Sequence, residues 1–329
     1  MPNSCSLTLP ARTPRAFARA PLAALTALAA TLVPVAGCSS SAGAVTDAGS
    51  AIDSGNAASD SGAAAQDGSP AQDGSAAQDA AGGAPKWTLT WADEFNGADG
   101  SPVDPTKWGH EIGGDGWGNM EREYYTDGAS NAVQTGGNLV ITATTDGAAQ
   151  YTCWYGACEY TSARLITKGK FSQKYGRFEA RIKIPSGQGL WPAWWMLGNT
   201  GRWPACGEID IMENIGREPT IVHASLHGPG YPGEGLTGEV NLPSYAPFAN
   251  DFHIYAVEWD AAAIKFYVDG ALYETQTPAD APKGQWPFVQ PFYLLLNVAV
   301  GGSWPGDPDA TSKFPQTMQV DYVRVYQKM

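Results

Sequence analysis

The chain has 329 residues and carries 33 acidic side chains against 20 basic ones, which gives a formal net charge of −13. An acidic chain binds polyanions poorly, so we expect no nucleic-acid partner and a ligand without negative charge. Composition also divides the chain, because its 12 tryptophans all follow residue 85. The folded domain is therefore expected in residues 86–329.

The first segment has the features of a secretory signal: three arginines, no acidic residue, and an apolar run of alanine and leucine over residues 20–36. The run ends in Val35-Ala36-Gly37-Cys38, which resembles the lipobox of bacterial lipoproteins, where a peptidase cuts before a cysteine that carries a diacylglycerol. The sequence therefore predicts a lipoprotein signal peptide over residues 1–37 and a lipidated Cys38. We expect an exported chain that its lipid anchors to the cell envelope or cell surface, with the outer membrane as one candidate. Ordinary secretion with cleavage after a small residue is the alternative.

The second segment, residues 38–85, consists mainly of alanine, serine, glycine, aspartate and glutamine, and the triplet Ala-Gln-Asp recurs in it three times. It contains no aromatic residue, leucine, lysine or arginine, so it cannot bury enough apolar surface to offset the entropy lost on folding. We predict a disordered tether.

The third segment, residues 86–329, contains short runs of β-branched and aromatic residues separated by glycine, proline, asparagine and aspartate. Polar and apolar residues alternate with period two in several runs, for example in residues 138–143, 177–184 and 320–326. Such alternation indicates half-buried strands, and no helical pattern persists beyond two turns. The segment is predicted to be one all-β domain, an antiparallel sandwich, and we expect a monomer.

Three cysteines fall in this domain. Cys153 and Cys158 are close enough in sequence to bridge across a short loop, as an exported protein allows. Cys206 is interpreted as a small buried apolar residue. The cysteine spacing does not resemble a zinc site.

The most informative segment is Cys206-Gly207-Glu208-Ile209-Asp210-Ile211-Met212-Glu213-Asn214. On a strand, Glu208 and Asp210 share one face while the isoleucines point to the other. Acids clustered on one face repel each other, which favours a site that separates their protonation states over a merely solvated acidic edge. Glu213 lies an odd five positions from Glu208, so a bulge with an extra residue at Ile211 or Met212 is needed to return it to the same face.

The same segment resembles the Glu-x-Asp-x-x-Glu signature of glycoside hydrolase family 16, and in particular the bacterial laminarinases, which are endo-β-1,3-glucanases. The resemblance extends over the whole domain, through residues 91–95, 113–119, 175–181, 191–197, 296–302 and 321–326. It implies a β-jelly-roll sandwich with a concave substrate cleft and a retaining mechanism without a catalytic cofactor. By position, Glu208 resembles the nucleophile, Asp210 the assisting acid and Glu213 the acid/base.

The resemblance also implies substrate-binding residues. Aromatic rings suit the apolar faces of sugars, and polar side chains suit their hydroxyls. The expected set is Trp203, Trp191, Trp195, Trp117, Glu179, Arg181, His227, Asn119 and Asn297. For Glu179 and Arg181 the alternative is a surface ion pair, and for His227 a core histidine. Many family members hold a structural calcium ion, for which the matching positions here are Glu94, the carbonyl of Gly137, and Asp321.

Other functions stay open at this stage. A non-catalytic glucan-binding module of this fold would lack the catalytic glutamates, whereas both are present. Dedicated mixed-linkage β-1,3-1,4-glucanases resemble Glu-Ile-Asp-Ile-Glu without the inserted methionine, so Met212 argues against them. Algal galactan hydrolases share the methionine, but sulfated substrates favour basic clefts, and this domain has 27 acidic against 17 basic residues once the six acids of the tether and the three arginines of the signal are set aside. The predicted substrate is a neutral β-1,3-glucan.

Overall fold

A computed structural model describes residues 86–329. The predicted signal peptide, Cys38 and the tether lie outside the described residues. Within residues 86–329 no helix is long and apolar enough to cross a membrane.

Nearly all regular structure in the described part of the chain is β-strand, with two short 3-10 helices at Ala148–Gln150 and Phe248–Asn250. The strands are β1 (Trp87–Asp93), β2 (Gly109–Glu111), β3 (Glu123–Tyr125), β4 (Ala132–Thr135), β5 (Asn138–Ala143), β6 (Thr152–Cys153), β7 (Gly156–Ala157), β8 (Tyr160–Ser162), β9 (Arg164–Ile166), β10 (Gly176–Lys183), β11 (Leu190–Gly198), β12 (Glu208–Glu213), β13 (Ile221–Gly228), β14 (Tyr231–Asn241), β15 (His253–Trp259), β16 (Ile264–Val268), β17 (Ala271–Gln276), β18 (Phe292–Val300) and β19 (Gln316–Lys328).

Two large sheets form the domain. The first has the strand order β14-β13-β12-β11-β18-β9-β2, and the second has the order β17-β16-β15-β10-β19-β5-β4, with β1 also paired to β19. All pairs in both sheets are antiparallel, while the small pair β3 and β8 is parallel. The predicted all-β antiparallel sandwich is confirmed.

The main core fills the space between the two sheets. On β10 buried residues alternate with partly exposed ones, so that Phe178, Ala180 and Ile182 enter the core. Each such fully buried Phe or Ile side chain stabilises the fold by about 1.5–3 kcal/mol. Strand β18 differs because all nine of its residues are buried, which requires cover on both of its faces. One face is covered by the core, and the other forms the floor of a cleft.

The placement of β10 corrects one prediction. Glu179 and Arg181 do share a face, but β10 belongs to the eight-stranded sheet, and this face points away from the cleft on the other sheet. Glu179 accepts a hydrogen bond from Arg177 Nε at 3.0 Å, and Arg181 Nη1 lies 2.8 Å from Asp321 Oδ2. The prediction that Glu179 and Arg181 bind substrate is therefore wrong, and both residues belong to surface ion pairs.

Candidate active site

A cleft of about 630 Å³ lies on the outer face of the seven-stranded sheet. Residues of β9, β11, β12, β13, β14 and β18 line it, together with loops of the same side. Of the predicted site residues, those that line it are Trp117, Asn119, Trp191, Trp195, Trp203, Glu208, Asp210, Glu213, His227 and Asn297. The structure thus brings together all of the predicted catalytic and substrate-binding residues except the two on β10.

Strand β12 contains the bulge that the spacing of the acids required. Asp210 is opposite Trp195 on β11, but Met212 is opposite Trp194, so that Ile211 is the extra residue. Ile211 enters the core, and Glu213 returns to the cleft face that Glu208 and Asp210 occupy. One inserted residue therefore places three carboxyl groups on one surface.

Glu208 is held by an indole. Trp203 Nε1 donates a hydrogen bond to Glu208 Oε2 at 2.6 Å. Burial raises the pKa of Glu208, while the positive charge of His227 and the bond from Trp203 oppose that rise. A hydrogen bond to one oxygen fixes the carboxylate and stabilises its charge, which are requirements for a nucleophile.

Glu213 has a different environment. Its side chain is 8% exposed, and Trp191 Nε1 donates to its Oε1 at 2.9 Å. Burial and the charge of Asp210 raise the pKa of Glu213 to about 8. The group therefore keeps its proton at neutral pH, as a general acid must.

Asp210 lies between the two glutamates and is paired with His227. His227 Nε2 is 3.1 Å from Asp210 Oδ2. Burial lowers the pKa of His227, but the hydrogen bond and charge of Asp210, together with the two glutamates, outweigh it and raise the pKa to about 10. Burial and the charge of Glu208 raise the pKa of Asp210 to about 7. His227 is thus a cation of the site, and the core-histidine alternative does not hold because its ring lines the cleft.

A line of hydrogen bonds crosses the floor of the cleft. Trp195 Nε1 donates to Asn297 Oδ1 at 2.7 Å, and Asn297 Nδ2 donates to the Tyr125 hydroxyl at 3.1 Å. Tyr125 donates in turn to Glu121 Oε2 at 3.0 Å, and Asn119 Nδ2 donates to Glu121 Oε1 at 3.0 Å. These bonds fix the orientation of both asparagine amides.

Sequence reasoning missed Arg164 and Glu121. The Arg164 guanidinium lies 4.7 Å from the ring centres of both Trp117 and Trp195 and forms an ion pair with Glu111, in which Nε and Oε2 are 2.6 Å apart. Arg164 is 3% exposed. A single arginine in a short strand gives no sequence signal of burial, which only the tertiary packing creates.

Trp304 was missed as well. It lines the cleft on the loop after β18, and its ring lies 5.2 Å from that of Trp191 and 5.1 Å from that of His223. The Gly301-Gly302 pair before it and Pro305 after it are a loop signal that could have indicated a wall of the cleft.

The remaining predicted residues lie outside the cleft floor. Cys153 and Cys158 form the disulfide that their spacing allowed, with Cα atoms 5.1 Å apart. Cys206 is fully buried beside Trp195 and Tyr293.

Two of the expected calcium ligands are engaged by arginines. Both carboxylate oxygens of Glu94 accept hydrogen bonds from Arg324, at 2.9 and 2.8 Å, and Asp321 is paired with Arg181. Gly137 lies in the turn between β4 and β5 with a φ of 71°. The structure places guanidinium cations where the calcium prediction requires free carboxylates.

A cleft with aromatic walls, a carboxylate held by an N–H donor, and a second carboxyl group with a raised pKa are the features of a glycosidase site. The described site therefore defines an enzyme of the glycoside hydrolase class.

Comparison with known proteins agrees with the glycoside hydrolase assignment. The family model of glycosyl hydrolases family 16 matches residues 119–324. A beta-glucanase of Rhodothermus marinus is 45% identical over 261 residues, which cover 74% of this chain and 86% of that protein. The catalytic domain of an endo-1,3-beta-glucanase (laminarinase) of Thermotoga petrophila RKU-1 is 46% identical with a TM-score of 0.69, over 74% of this chain and 99% of that domain. An endo-1,3-1,4-beta-glycanase of Rhizobium meliloti is 34% identical over 256 residues, which cover 73% of this chain and 51% of that protein.

The chain belongs to glycosyl hydrolase family 16. The predicted jelly-roll fold and the predicted glycosidase activity are thereby confirmed. Glycosidases of this family need no catalytic cofactor, so the chemistry falls to the side chains of the cleft.

Proposed function

We propose that this enzyme hydrolyses internal bonds of a neutral β-1,3-glucan, with retention of configuration at the anomeric carbon. The observation that carries the proposal is the bulge of β12, which sets Glu208 and Glu213 on one cleft surface in two different environments. One carboxyl is held by Trp203 for attack, and the other keeps a proton for the leaving group.

In the first step Glu208 attacks the anomeric carbon, and Glu213 gives its proton to the departing glycosidic oxygen, which takes the bonding electron pair. A glycosyl ester on Glu208 results, and the negative charge of Glu208 disappears. Glu213, now ionised, removes a proton from water as the water oxygen attacks the anomeric carbon from the face opposite Glu208, and the bond from that carbon to Glu208 breaks and releases the carboxylate. Asp210 and the His227 cation keep the charge of the site balanced through both steps.

The linkage is inferred from shape and charge. A β-1,3-glucan curves along its length, and Trp191, Trp203 and Trp304 line a cleft that can follow it by stacking. Met212 supplies a core side chain beside the bulge, and the dedicated mixed-linkage pattern lacks this residue. The acidic domain disfavours sulfated galactans.

The purified chain should be incubated with laminarin, lichenan, carrageenan and agarose, and the products should be sized. We expect laminarin to be cut fastest, into oligosaccharides of several lengths. Lichenan cut much faster than laminarin would replace the β-1,3 assignment by a mixed-linkage one. Release of glucose alone would contradict internal cleavage.

We also propose that the chain is exported and tethered by a lipid on Cys38. The support is the lipobox-like sequence at the end of an apolar run. Replacing Cys38→Ser should release the protein from membranes, with membrane fractionation as the measurement. A parent chain that is already soluble, with an N-terminus inside the tether, would contradict the lipid anchor.

A structural calcium ion and a monomeric state remain proposals. Calcium would have to displace Arg324 from Glu94 and Arg181 from Asp321, since these ion pairs occupy the expected ligands. Melting curves with added CaCl₂ and with EDTA would measure binding as a change in Tm. Equal Tm values would exclude the ion, and light scattering would test the monomer.

A further inference from the structure

Two acidic side chains beside the cleft have no part in the steps above. Glu121 is 3% exposed and Glu123 is 0% exposed. They lie two residues apart and face the same way as Tyr125, because buried and partly exposed residues alternate from 121 to 125. Buried carboxyl groups are costly unless hydrogen bonds and charges compensate them, so their partners indicate their role.

Glu121 accepts a hydrogen bond at each oxygen. Asn119 Nδ2 donates to Oε1, and the Tyr125 hydroxyl donates to Oε2. The buried Arg164 cation lowers the pKa of Glu121 against the rise that burial causes. Because Asn119 uses its Nδ2 on Glu121, its Oδ1 is the atom left to accept a hydrogen bond from a ligand in the cleft that Asn119 lines.

Glu123 is buried two residues from Glu121, in the same row of buried side chains. Its Oε2 accepts the backbone N–H of Val300 at 2.6 Å. Two carboxyl groups can share a hydrogen bond only if one of them carries the proton. Burial raises the pKa of Glu123 well above its usual value, and the charge of Glu121 raises it further, which favours the protonated form of Glu123. Its Oε1 is buried and has no hydrogen-bond partner in the described residues, which leaves this oxygen available to carry a proton and donate it to Glu121.

We propose that Glu121 is a positioning residue that holds the Asn119 amide with its oxygen toward the sugar, and that Glu123 fixes Glu121 by donating a hydrogen bond to it. A sugar hydroxyl can then donate to Asn119 Oδ1. This inference rests on the proposed function, since it assigns Asn119 a hydroxyl of the glucan. It extends the site by Glu121, which lines the cleft beside Asn119, and by Glu123, which is not among the cleft-lining residues.

The first test is a double-mutant cycle on laminarin. The E121Q side chain offers one acceptor oxygen to the three donors on Asn119, Tyr125 and Glu123, so the Asn119 amide loses its fixed orientation. We expect E121Q to lower kcat/KM at least tenfold in the parent, but less than about twofold in an Asn119→Ala background. An equal loss in both backgrounds would overturn the proposal, because Glu121 would then act independently of Asn119.

The second test separates positioning from packing. In E123Q the amide N–H can donate to Glu121 while its oxygen accepts from Val300, whereas in E123L both bonds are lost. We expect E123Q to keep kcat/KM within about threefold and E123L to match E121Q, with folding checked by the melting temperature. Equal damage from E123Q and E123L, or no damage from either, would overturn the role of Glu123.

The matched control is Glu258→Gln. Glu258 is a partly buried carboxylate on the eight-stranded sheet, bonded to Arg177 and Tyr267. We expect no change in kcat/KM from it. If the parent does not cut laminarin, the proposed function fails, and the same variants can then be compared on whichever glucan the parent does cut.

Discussion

The two outer faces of the sandwich carry the same kinds of residues and use them differently. On the eight-stranded sheet, Arg181 and Asp321 form an ion pair in which the side chains are 38% and 37% exposed. On the seven-stranded sheet, Asp210 is 2% and Glu213 8% exposed. A solvated ion pair stabilises the fold by only about 0–1 kcal/mol. On the cleft face, burial instead changes protonation, because it raises the pKa values of Asp210 and Glu213 to about 7 and 8. Solvent exclusion therefore distinguishes the two faces more than residue type does.

The difference in solvent exposure between the two faces comes from loops. The cleft is walled by Trp203 between β11 and β12, by Trp304 after β18, and by Trp117 in the segment before β3. These three rings line the same cleft as Glu208, Asp210 and Glu213. On the opposite sheet the Phe252 ring lies 4.4 Å from the Arg181 guanidinium, but Arg181 and Asp321 are both more than a third exposed, so water solvates this ion pair.

The largest effect expected from this contrast is on turnover. Glu208→Gln and Glu213→Gln should each lower kcat on laminarin by at least about a thousandfold, since each removes a separate catalytic contribution. Glu179→Gln, on the opposite sheet, is the matched control and should leave kcat unchanged. Steady-state kinetics measure all three variants. Activity within tenfold of the parent in either cleft variant would remove that residue from the mechanism.

The next effect concerns the indole above the nucleophile. Trp203→Ala should lower kcat/KM at least tenfold, or about 1.4 kcal/mol, because both stacking and the bond to Glu208 are lost. Trp203→Phe keeps a ring but no N–H, so its loss in kcat should report the hydrogen bond alone. Trp87→Ala, on β1 of the other sheet, serves as the control. A large fall in Tm with Trp203→Ala would assign this residue to the core instead.

The catalytic residues of the cleft could be predicted from the sequence more readily than the sheet to which each strand belongs. The odd spacing of Glu208 and Glu213 predicted the bulge, because side-chain direction along a strand depends only on counting residues. Strand alternation cannot tell which sheet a strand joins, so Glu179 was assigned to the wrong face. Arg164 and Glu121 escaped notice because their burial depends on segments far apart in the chain, including β2 and β18.

The third effect is on the pH profile. Glu213 acts as an acid while it holds its proton, so activity should fall as pH rises through about 8, the value to which burial raises its pKa. Trp191 donates a hydrogen bond that lowers this pKa. Trp191→Phe should therefore move the alkaline limb of kcat/KM, which reports the free enzyme, to higher pH. An alkaline limb that stays in place would show that another group sets it.

The fourth effect is on stability. Because the pKa of Glu213 is higher in the folded chain than the value of about 4.3 of an unfolded glutamate, the folded state binds more protons between these values. Its free energy of unfolding should fall as pH rises from about 4.3 to about 8. Glu213→Gln should remove the contribution of Glu213 to this fall, so the variant should be more stable than the parent at pH 8 and differ less at pH 4. Urea unfolding at both pH values measures the difference, and equal stability at pH 8 would contradict the buried-acid description.

The smallest effect is expected on the solvated face. Arg181→Ala should change the free energy of unfolding by less than about 1 kcal/mol and kcat/KM by less than about twofold. Chemical unfolding and laminarin kinetics on the same preparation provide the values. A large loss of activity would restore Arg181 to the substrate site.

The central claim is that Glu208 is the nucleophile and Glu213 the acid/base of one reaction, and azide rescue tests it most directly. In Glu208→Ala, azide can occupy the space of the missing nucleophile and should restore activity while forming an α-glycosyl azide. In Glu213→Ala, azide should attack the glycosyl ester on Glu208 and form the β-glycosyl azide. NMR of the isolated products distinguishes the two anomers. The same anomer from both variants, or the two anomers exchanged, would contradict the assignment.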